Sequence, residues 1–297
     1  MVENAITPAW IDAFLADEGL PSAYSQTIRL LIEPLADRIE TGRCGKAYLV
    51  GLCGAQGSGK STLTGALAKI LESRGLTVAT LSLDDFYLSH ARRQDLARTI
   101  HPLLATRGVP GTHDPGACAE ILDALRHPGP VRLPWFDKAT DDPSPKTTWP
   151  QINAPVDVVL FEGWCVGARP QAAADLTAPI NALERDEDPD GRWRGYVNAQ
   201  LQGPYAALFS KFDLFVVLQA PGFEVVADWR LEQEDKLRRR RLAQGASVQG
   251  LMDEAAVRRF VAHYERVTRV LMAEAPMRAD VLVTLQTDRT VGEIIFR

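Results

Sequence analysis

The chain has 297 residues, 46% hydrophobic and 24% charged, with a formal net charge of −5. That is the composition of a soluble globular protein with room for one large α/β domain or two small ones, and its mild acidity gives no electrostatic footprint for nucleic acid or an anionic membrane surface. Four scattered cysteines at 44, 53, 118 and 165 form no Cys-x-x-Cys pair, no basic-then-apolar leader opens the chain, and no apolar run is long enough to span a bilayer, so the expectation is a cytoplasmic protein with reduced thiols.

In chain order, two helices are predicted first. Thr7-Pro8 reads as an N-cap and first helical residue, with Trp10, Ile11, Phe14 and Leu15 following at helical spacing. A second helix is expected over 24–39, with Ile28, Leu31, Ile32 and Leu35 on one face and a kink at Pro34. Residues 1–45 are thus expected to be a helical extension packed on a core domain of 46–297, the alternative being a homodimer or partner surface. Five strands are predicted at 47–53, 77–83, 156–161, 212–218 and 280–285. Their near-continuous apolar runs, separated by helical segments, indicate strands buried on both faces of a mostly parallel sheet. Chemistry in such a sheet gathers at the C-terminal strand ends.

The first strand runs into Gly54-Ala55-Gln56-Gly57-Ser58-Gly59-Lys60-Ser61-Thr62, which contains an intact G-x-x-x-x-G-K-[ST] loop, and a helical segment closed by Gly75 follows. Strand, loop and helix in that order separate a nucleotide site from a chance match. Glycines let backbone N–H groups turn toward phosphate oxygens, the helix N-terminus favours anions, Lys60 can reach the β- and γ-phosphates, and Ser61 can ligate Mg²⁺. The expected ligands are therefore the phosphates of a nucleotide and Mg²⁺.

The second strand ends in Asp84-Asp85-Phe86-Tyr87. Adjacent strand-end residues point to opposite faces, which gives the two aspartates different jobs. One can orient or deprotonate an acceptor hydroxyl or hold Mg²⁺ through water, as phosphoryl transfer requires. The alternative is a helix N-cap pair. The third strand ends in Phe161-Glu162-Gly163-Trp164, four apolar residues and a carboxylate placed to share Mg²⁺ with Ser61, with Gly163 expected to let the backbone pass close to a ligand.

Between these strands, 87–155 reads as an irregular insertion with one helix starting at Asp114-Pro115. It holds Arg107-Gly-Val-Pro-Gly-Thr112-His113-Asp114 and, further on, Phe136-Asp137-Lys138. A cation, a tight turn and hydrogen-bonding side chains suit a small, hydroxylated, anionic acceptor, although Asp114 also reads as a helix N-cap and His113 as a turn residue. On this reading Asp85, Tyr87, Arg107, Thr112, His113, Asp114, Asp137 and Lys138 bind substrate. Within an expected lid region of 223–250, a long helix over 223–242 carries Arg230, Lys236 and Arg238 to Arg241. A lid helix can bring arginine to the transferring phosphate, but consecutive arginines spread over all faces, which makes Arg230 the better candidate.

Asp84-Asp85-Phe86-Tyr87 resembles the Asp-x-Phe-Tyr element of the phosphoribulokinase, uridine kinase and pantothenate kinase group of P-loop kinases, and that resemblance implies that Asp84 is the base. Arg107 to Asp114, Phe136 to Lys138, Phe161 to Trp164 and Trp229-Arg-Leu-x-x-Glu234, in this order, resemble the plant- and fungal-type D-glycerate 3-kinase family over about residues 46–265. The resemblance implies a P-loop NTPase fold and ATP- and Mg²⁺-dependent phosphorylation of D-glycerate at its 3-hydroxyl. It implies catalytic roles for Lys60, Asp84, Glu162 and Arg230, with Ser61, Asp84 and Glu162 around the metal. One departure stands in the late helix, where the family carries a Pro- and Tyr-bearing stretch after Phe-Val-x-x-Tyr and this chain reads Phe260-Val-Ala-His-Tyr264-Glu-Arg-Val. The rivals are another acceptor within the group (pantothenate, a nucleoside or a sugar phosphate) and a non-catalytic nucleotide-binding regulator. A GTPase-like regulator would want an Asn-Lys-x-Asp element, which the chain lacks. A small-molecule substrate, and neither nucleic acid nor membrane, is the expected partner.

Overall fold

The computed structural model describes residues 9–45, 47–243 and 252–297; the Thr7-Pro8 cap and the end of the 223–250 lid region lie outside them. Ten strands occur among these residues: β1 Tyr48–Gly54, β2 Val78–Ser82, β3 Gly129–Arg132, β4 Phe136–Asp137, β5 Asp142–Pro143, β6 Gln151–Ala154, β7 Val158–Gly163, β8 Leu214–Gln219, β9 Val281–Leu285 and β10 Val291–Phe296. Six of them make the central sheet in the order β10-β9-β8-β1-β7-β2, while β3-β6 and β4-β5 are separate two-stranded ribbons. Every neighbour pair from β9 to β2 is parallel, and β10 closes the edge antiparallel to β9.

The five predicted strands are the five parallel ones, each displaced by one or two residues. Their apolar runs serve two cores, one on each face. Alternate β1 residues divide between them: Leu49 and Cys53 join Phe161, Trp164, Tyr205 and Tyr264, whereas Val50 and Leu52 join Leu63, Leu67, Val216 and Val283. Ile28, Leu31, Ile32 and Leu35 from the N-terminal helices lie fully buried in the second core. There the chain runs as an α-turn, Tyr24–Thr27, a π-helical segment, Ile28–Ile32, and the α-helix Glu33–Gly42. Pro34 has no N–H to donate backward, and the widened turn directly before it absorbs the missing bond in place of a sharp kink.

Three features depart from expectation. β10 was not foreseen. The 87–155 stretch holds a second helix, His90–Thr99, capped by Ser89, whose Oγ accepts from Arg92 N at 3.3 Å. Its buried side chain is a cation, Arg93, so apolar periodicity had nothing to register. Between β7 and β8, short helices at Ala182–Glu187, Arg192–Gln200 and Ala206–Phe209 flank a π-helical segment, Leu201–Tyr205, which delivers Tyr205 to the core.

Candidate active site

The register of the sheet brings the phosphate loop and two acidic strand ends together. Leu52 of β1 and Ser82 of β2 both pair with Glu162 of β7, so Glu162 emerges between the loop that leaves β1 and the turn that leaves β2. Gly57 and Gly59 take positive φ, 78° and 88°, the conformation that side-chain-bearing residues resist. Gly59 hands over to the helix Lys60–Ser73, whose N-terminus faces the loop. Space is also short: a Cβ at Gly57 would stand 2.6 Å from the Trp229 Cβ, so the helix Glu224–Ala243 lies against the loop. Lys60 Nζ donates to the Ala55 carbonyl within the loop at 3.2 Å. Ser61 Oγ donates to Glu162 Oε1 at 3.1 Å. Gln56 Oε1 and the buried Ser58 Oγ have no hydrogen-bond partner. A hard divalent cation fits the Ser61–Glu162 pair, which offers only oxygen donors at an accessible edge, with room for water and phosphate oxygens to complete a shell.

After β2 the chain tightens into a single 3-10 turn, Leu83–Phe86, capped by Ser82 Oγ, which accepts from Asp84 N at 3.3 Å. The two aspartates diverge as expected, through this turn rather than through strand alternation. Asp84 Oδ2 accepts from Lys138 Nζ at 2.7 Å and Oδ1 from the Tyr87 hydroxyl at 3.0 Å. Burial opposes the Asp84 charge, but Lys138 outweighs it and holds the carboxyl at about 2. Asp85 Oδ1 accepts from Phe136 N at 3.2 Å. Burial pushes the Asp85 carboxyl up to about 6, with the charges of Asp84 and Glu162 adding and the Phe136 N–H and Lys138 opposing.

A second wall comes from the insertion. Residues 86–88 pair with 112–114 through Leu88 N to Thr112 O, 2.9 Å, and Asp114 N to Phe86 O, 2.8 Å. This stacks the Tyr87 ring on His113, centroids 4.3 Å apart, with Phe136 edge-on to Tyr87 at 5.4 Å. The turn that presents His113 is braced from behind. Trp164 Nε1 donates to Gly108 O at 3.0 Å, and the Tyr264 hydroxyl donates to Arg107 O at 3.1 Å. Gly108 has φ 141°, and a Cβ there would stand 2.0 Å from the Tyr264 hydroxyl oxygen. Tyr264, the last residue of Phe-Val-x-x-Tyr and the one directly before the divergent stretch, therefore borders this turn.

Several sequence candidates are engaged elsewhere. Thr112 is fully buried and clasps its own turn, with Oγ1 accepting from Gly108 N at 2.9 Å and donating to Val109 O at 2.7 Å. Asp114 caps the helix Pro115–Ala124 through Ala117 N, 3.0 Å, and accepts from Arg92 at 3.1 Å. Asp137 Oδ1 accepts from Ala139 N within a local turn at 2.8 Å. Arg107 is ion-paired to Asp141, which Arg93 also grips at 2.6 Å. Arg230 pairs with Glu234 and stacks over Phe260, next in sequence to the Trp229 that abuts the loop. Arg239 pairs with Asp235 at the exposed end of that helix, and Arg238 reaches the Met252 carbonyl. Gly163 serves packing in place of ligand approach, since a Cβ there would stand 2.9 Å from the Leu83 Cβ. Tyr205 and the clamp Asp141 lie in no sequence motif, and the motifs that hold Trp164 and Tyr264 give no sign of their bracing contacts, because each acts across the fold.

A family profile described as methylmalonyl Co-A mutase-associated GTPase MeaB matches residues 22–88, the segment that holds the phosphate loop and the turn after β2. The longer matches are to kinases. The chain is 34% identical over 235 residues to the uncharacterized kinase mug58 of Schizosaccharomyces pombe, covering 74% of this chain and 79% of that one. It is 30% identical over 245 residues to the chloroplastic D-glycerate 3-kinase of Arabidopsis thaliana, covering 78% of this chain and 50% of that protein's length. Among solved structures, D-glycerate 3-kinase from Cryptococcus neoformans var. grubii aligns over 90% of this chain and 99% of that one, with a TM-score of 0.70 and 25% identity. No helix among the described residues is long and apolar enough to cross a membrane. With a P-loop fold, a nucleotide-binding loop intact to its last residue and kinases as its relatives, the chain belongs to the family of P-loop kinases that holds mug58 and, over half of its length, the D-glycerate 3-kinase of Arabidopsis, and is an enzyme that phosphorylates a small molecule.

Proposed function

We propose that this kinase transfers the γ-phosphoryl group of ATP to the 3-hydroxyl of D-glycerate. The observation that carries the proposal is the pairing of Asp84 with Lys138 beside the Tyr87–His113 wall, at the end of the strand next but one to the phosphate loop. An ionised carboxylate stands ready to take a hydrogen bond from a hydroxyl, and an ammonium stands beside it for the carboxylate of the same small acid.

The chain's own groups divide the work. The backbone N–H groups of Gly54 to Ser61 and the helix N-terminus behind them hold the phosphates, joined by Thr62 at the start of that helix. Lys60 leaves the Ala55 carbonyl for the β- and γ-phosphates. Ser61 and Glu162 would hold Mg²⁺, with Asp84 contributing through water, and the bound ion would supply positive charge against the phosphoryl oxygens. Asp84 orients the attacking hydroxyl and accepts its proton as the new O–P bond forms and the bond from the γ-phosphorus to the bridging oxygen breaks, that oxygen leaving on ADP. A carboxylate of low basicity serves here, because a loose phosphoryl-transfer transition state asks for positioning more than for early deprotonation. Lys138, His113 and Asp85 hold the acceptor, and Tyr87 sets the angle of Asp84. In this scheme 87–155 is the substrate region and Arg230, on the helix against the loop, is the lid cation.

The test is ADP release with ATP and Mg²⁺ against D-glycerate, L-glycerate, pantothenate, uridine and ribulose 5-phosphate in parallel. Stimulation by D-glycerate alone is expected. Stimulation by another of the five keeps the chemistry and replaces the acceptor. Slow hydrolysis indifferent to all five, and accelerated by a protein partner, would favour a regulator instead.

A further inference from the structure

His113 is 2% exposed, and only one of its ring nitrogens has a partner. Nδ1 lies 2.7 Å from the hydroxyl of Tyr205, itself fully buried, and that hydroxyl also accepts from Gly111 N at 3.0 Å. Nε2 is buried with no partner. Donor and acceptor arithmetic decides which nitrogen carries the proton. If Nδ1–H donated to Tyr205, the phenolic proton would have no acceptor among the described residues and the Nε2 lone pair would have no donor, leaving two buried groups unsatisfied. If the phenol donates to Nδ1 while accepting from Gly111, a single group is left over, the Nε2–H. Each unsatisfied buried group carries a desolvation penalty, so the second arrangement is favoured.

We infer that Tyr205 is a positioning residue that locks His113 as the neutral Nε2–H tautomer, so that His113 gives one hydrogen bond to an oxygen of the phosphoryl acceptor. The inference rests on the assignment of this wall to the acceptor and adds the residue that sets its polarity. Burial pushes the imidazole down to about 3, so the ring stays neutral through the physiological range. It is stacked on Tyr87, whose hydroxyl is bonded to Asp84, and the Asp84 carboxylate is close enough to act on its charge. A fixed neutral donor suits this place. An imidazolium would compete with the acceptor for Asp84, whereas an Nε2 lone pair would repel the carboxylate or hydroxyl oxygens of a small acid. Because Nε2 is shielded from bulk water, a hydrogen bond to it gains strength from the low local dielectric.

The direct test is long-range proton–nitrogen NMR of the full-length labelled protein at about pH 7, with the His113 signals assigned by their loss in His113→Gln. An unprotonated Nδ1 and a protonated Nε2 are expected; the reverse tautomer, or an imidazolium, overturns the inference. This readout needs no substrate, so it holds whichever acceptor the enzyme takes and even if Tyr205→Phe does not fold. Kinetics then separate positioning from structure. Tyr205→Phe should raise KM for the acceptor about tenfold while KM for ATP and kcat change less than about twofold. The His113→Gln amide donates from a similar position without Tyr205, so adding Tyr205→Phe in that background should cost less than about twofold. A fall in kcat with both KM values unchanged, or the same loss in either background, would show Tyr205 to be mere packing.

Discussion

Asp84 is charged against its surroundings: burial works to neutralise it, and Lys138 at 2.7 Å keeps it ionised. Asp84→Asn keeps the shape, the Tyr87 contact and the phosphate loop while removing the proton acceptor. ATP affinity should stay within about threefold and kcat should fall by about 10² or more, checked by nucleotide titration and steady-state rates. Unchanged turnover would remove Asp84 from the role proposed for it. The two burial-shifted groups near it give a stability signature. His113 has a folded pKa of about 3, below the ordinary histidine value, so the unfolded chain binds the extra proton as pH falls. Its contribution is complete above about pH 6.5 and is lost progressively as the pH drops toward the folded value. Asp85, raised to about 6, has the opposite sign: protonation stabilises the fold as pH falls through its folded value. The two partly cancel in the native protein, and the comparison with His113→Gln isolates the imidazole. Between about pH 7 and pH 5 the native protein should lose about 2 kcal/mol of stability relative to that variant, measured by urea unfolding. Equal pH dependence in both would mean that the ring is not held neutral.

Two glycines divide the site at the level of elements. Gly57, at φ 78°, lies under Trp229 of the long arginine-bearing helix, and Gly108, at φ 141°, lies under Tyr264. An added methyl at either position meets both a disfavoured backbone region and a close neighbour. Gly57→Ala should therefore weaken nucleotide affinity, and Gly108→Ala should displace the turn that presents His113 and raise KM for the acceptor, each by about tenfold or more with the other ligand less affected. Loss of both affinities in either variant would mean that loop and wall move as one unit. What the sequence made legible follows the same division. The phosphate loop, Glu162 at its strand end and the Asp114 cap were readable because their chemistry depends on short spacings along one segment. The braces were not. Tyr205 meets His113 from 92 residues away and Tyr264 meets Arg107 from 157 away, and nothing in a local pattern reports such a contact. Thr112 and Asp114 read as substrate contacts because polar side chains in a turn near a site look alike whether they face a ligand or their own backbone.

Over the whole molecule, the parallel strands were plain because burial on both faces writes an unbroken apolar run into each. β10 escaped for the complementary reason: Val291–Phe296 is a partly exposed antiparallel edge with Gly292 and Glu293 inside it, and its register with β9 shifts midway. The His90–Thr99 helix escaped because the side chain it buries is Arg93, which is held by Asp141 rather than by apolar contact. The sheet sets the phosphate loop on β1 beside Glu162 on β7 and the Asp84 turn on β2, and the insertion closes that row with Lys138 and His113. The proposal that this row moves a phosphoryl group onto the terminal carbon's hydroxyl of D-glycerate is tested by phosphorus NMR of the product formed from ATP, Mg²⁺ and D-glycerate. The expected products are ADP and a phosphomonoester split by the two protons of a CH₂ group, which is 3-phosphoglycerate. A phosphomonoester split by a single proton would place the phosphate on the 2-hydroxyl, and inorganic phosphate alone would mean that water is the acceptor; either result would contradict it.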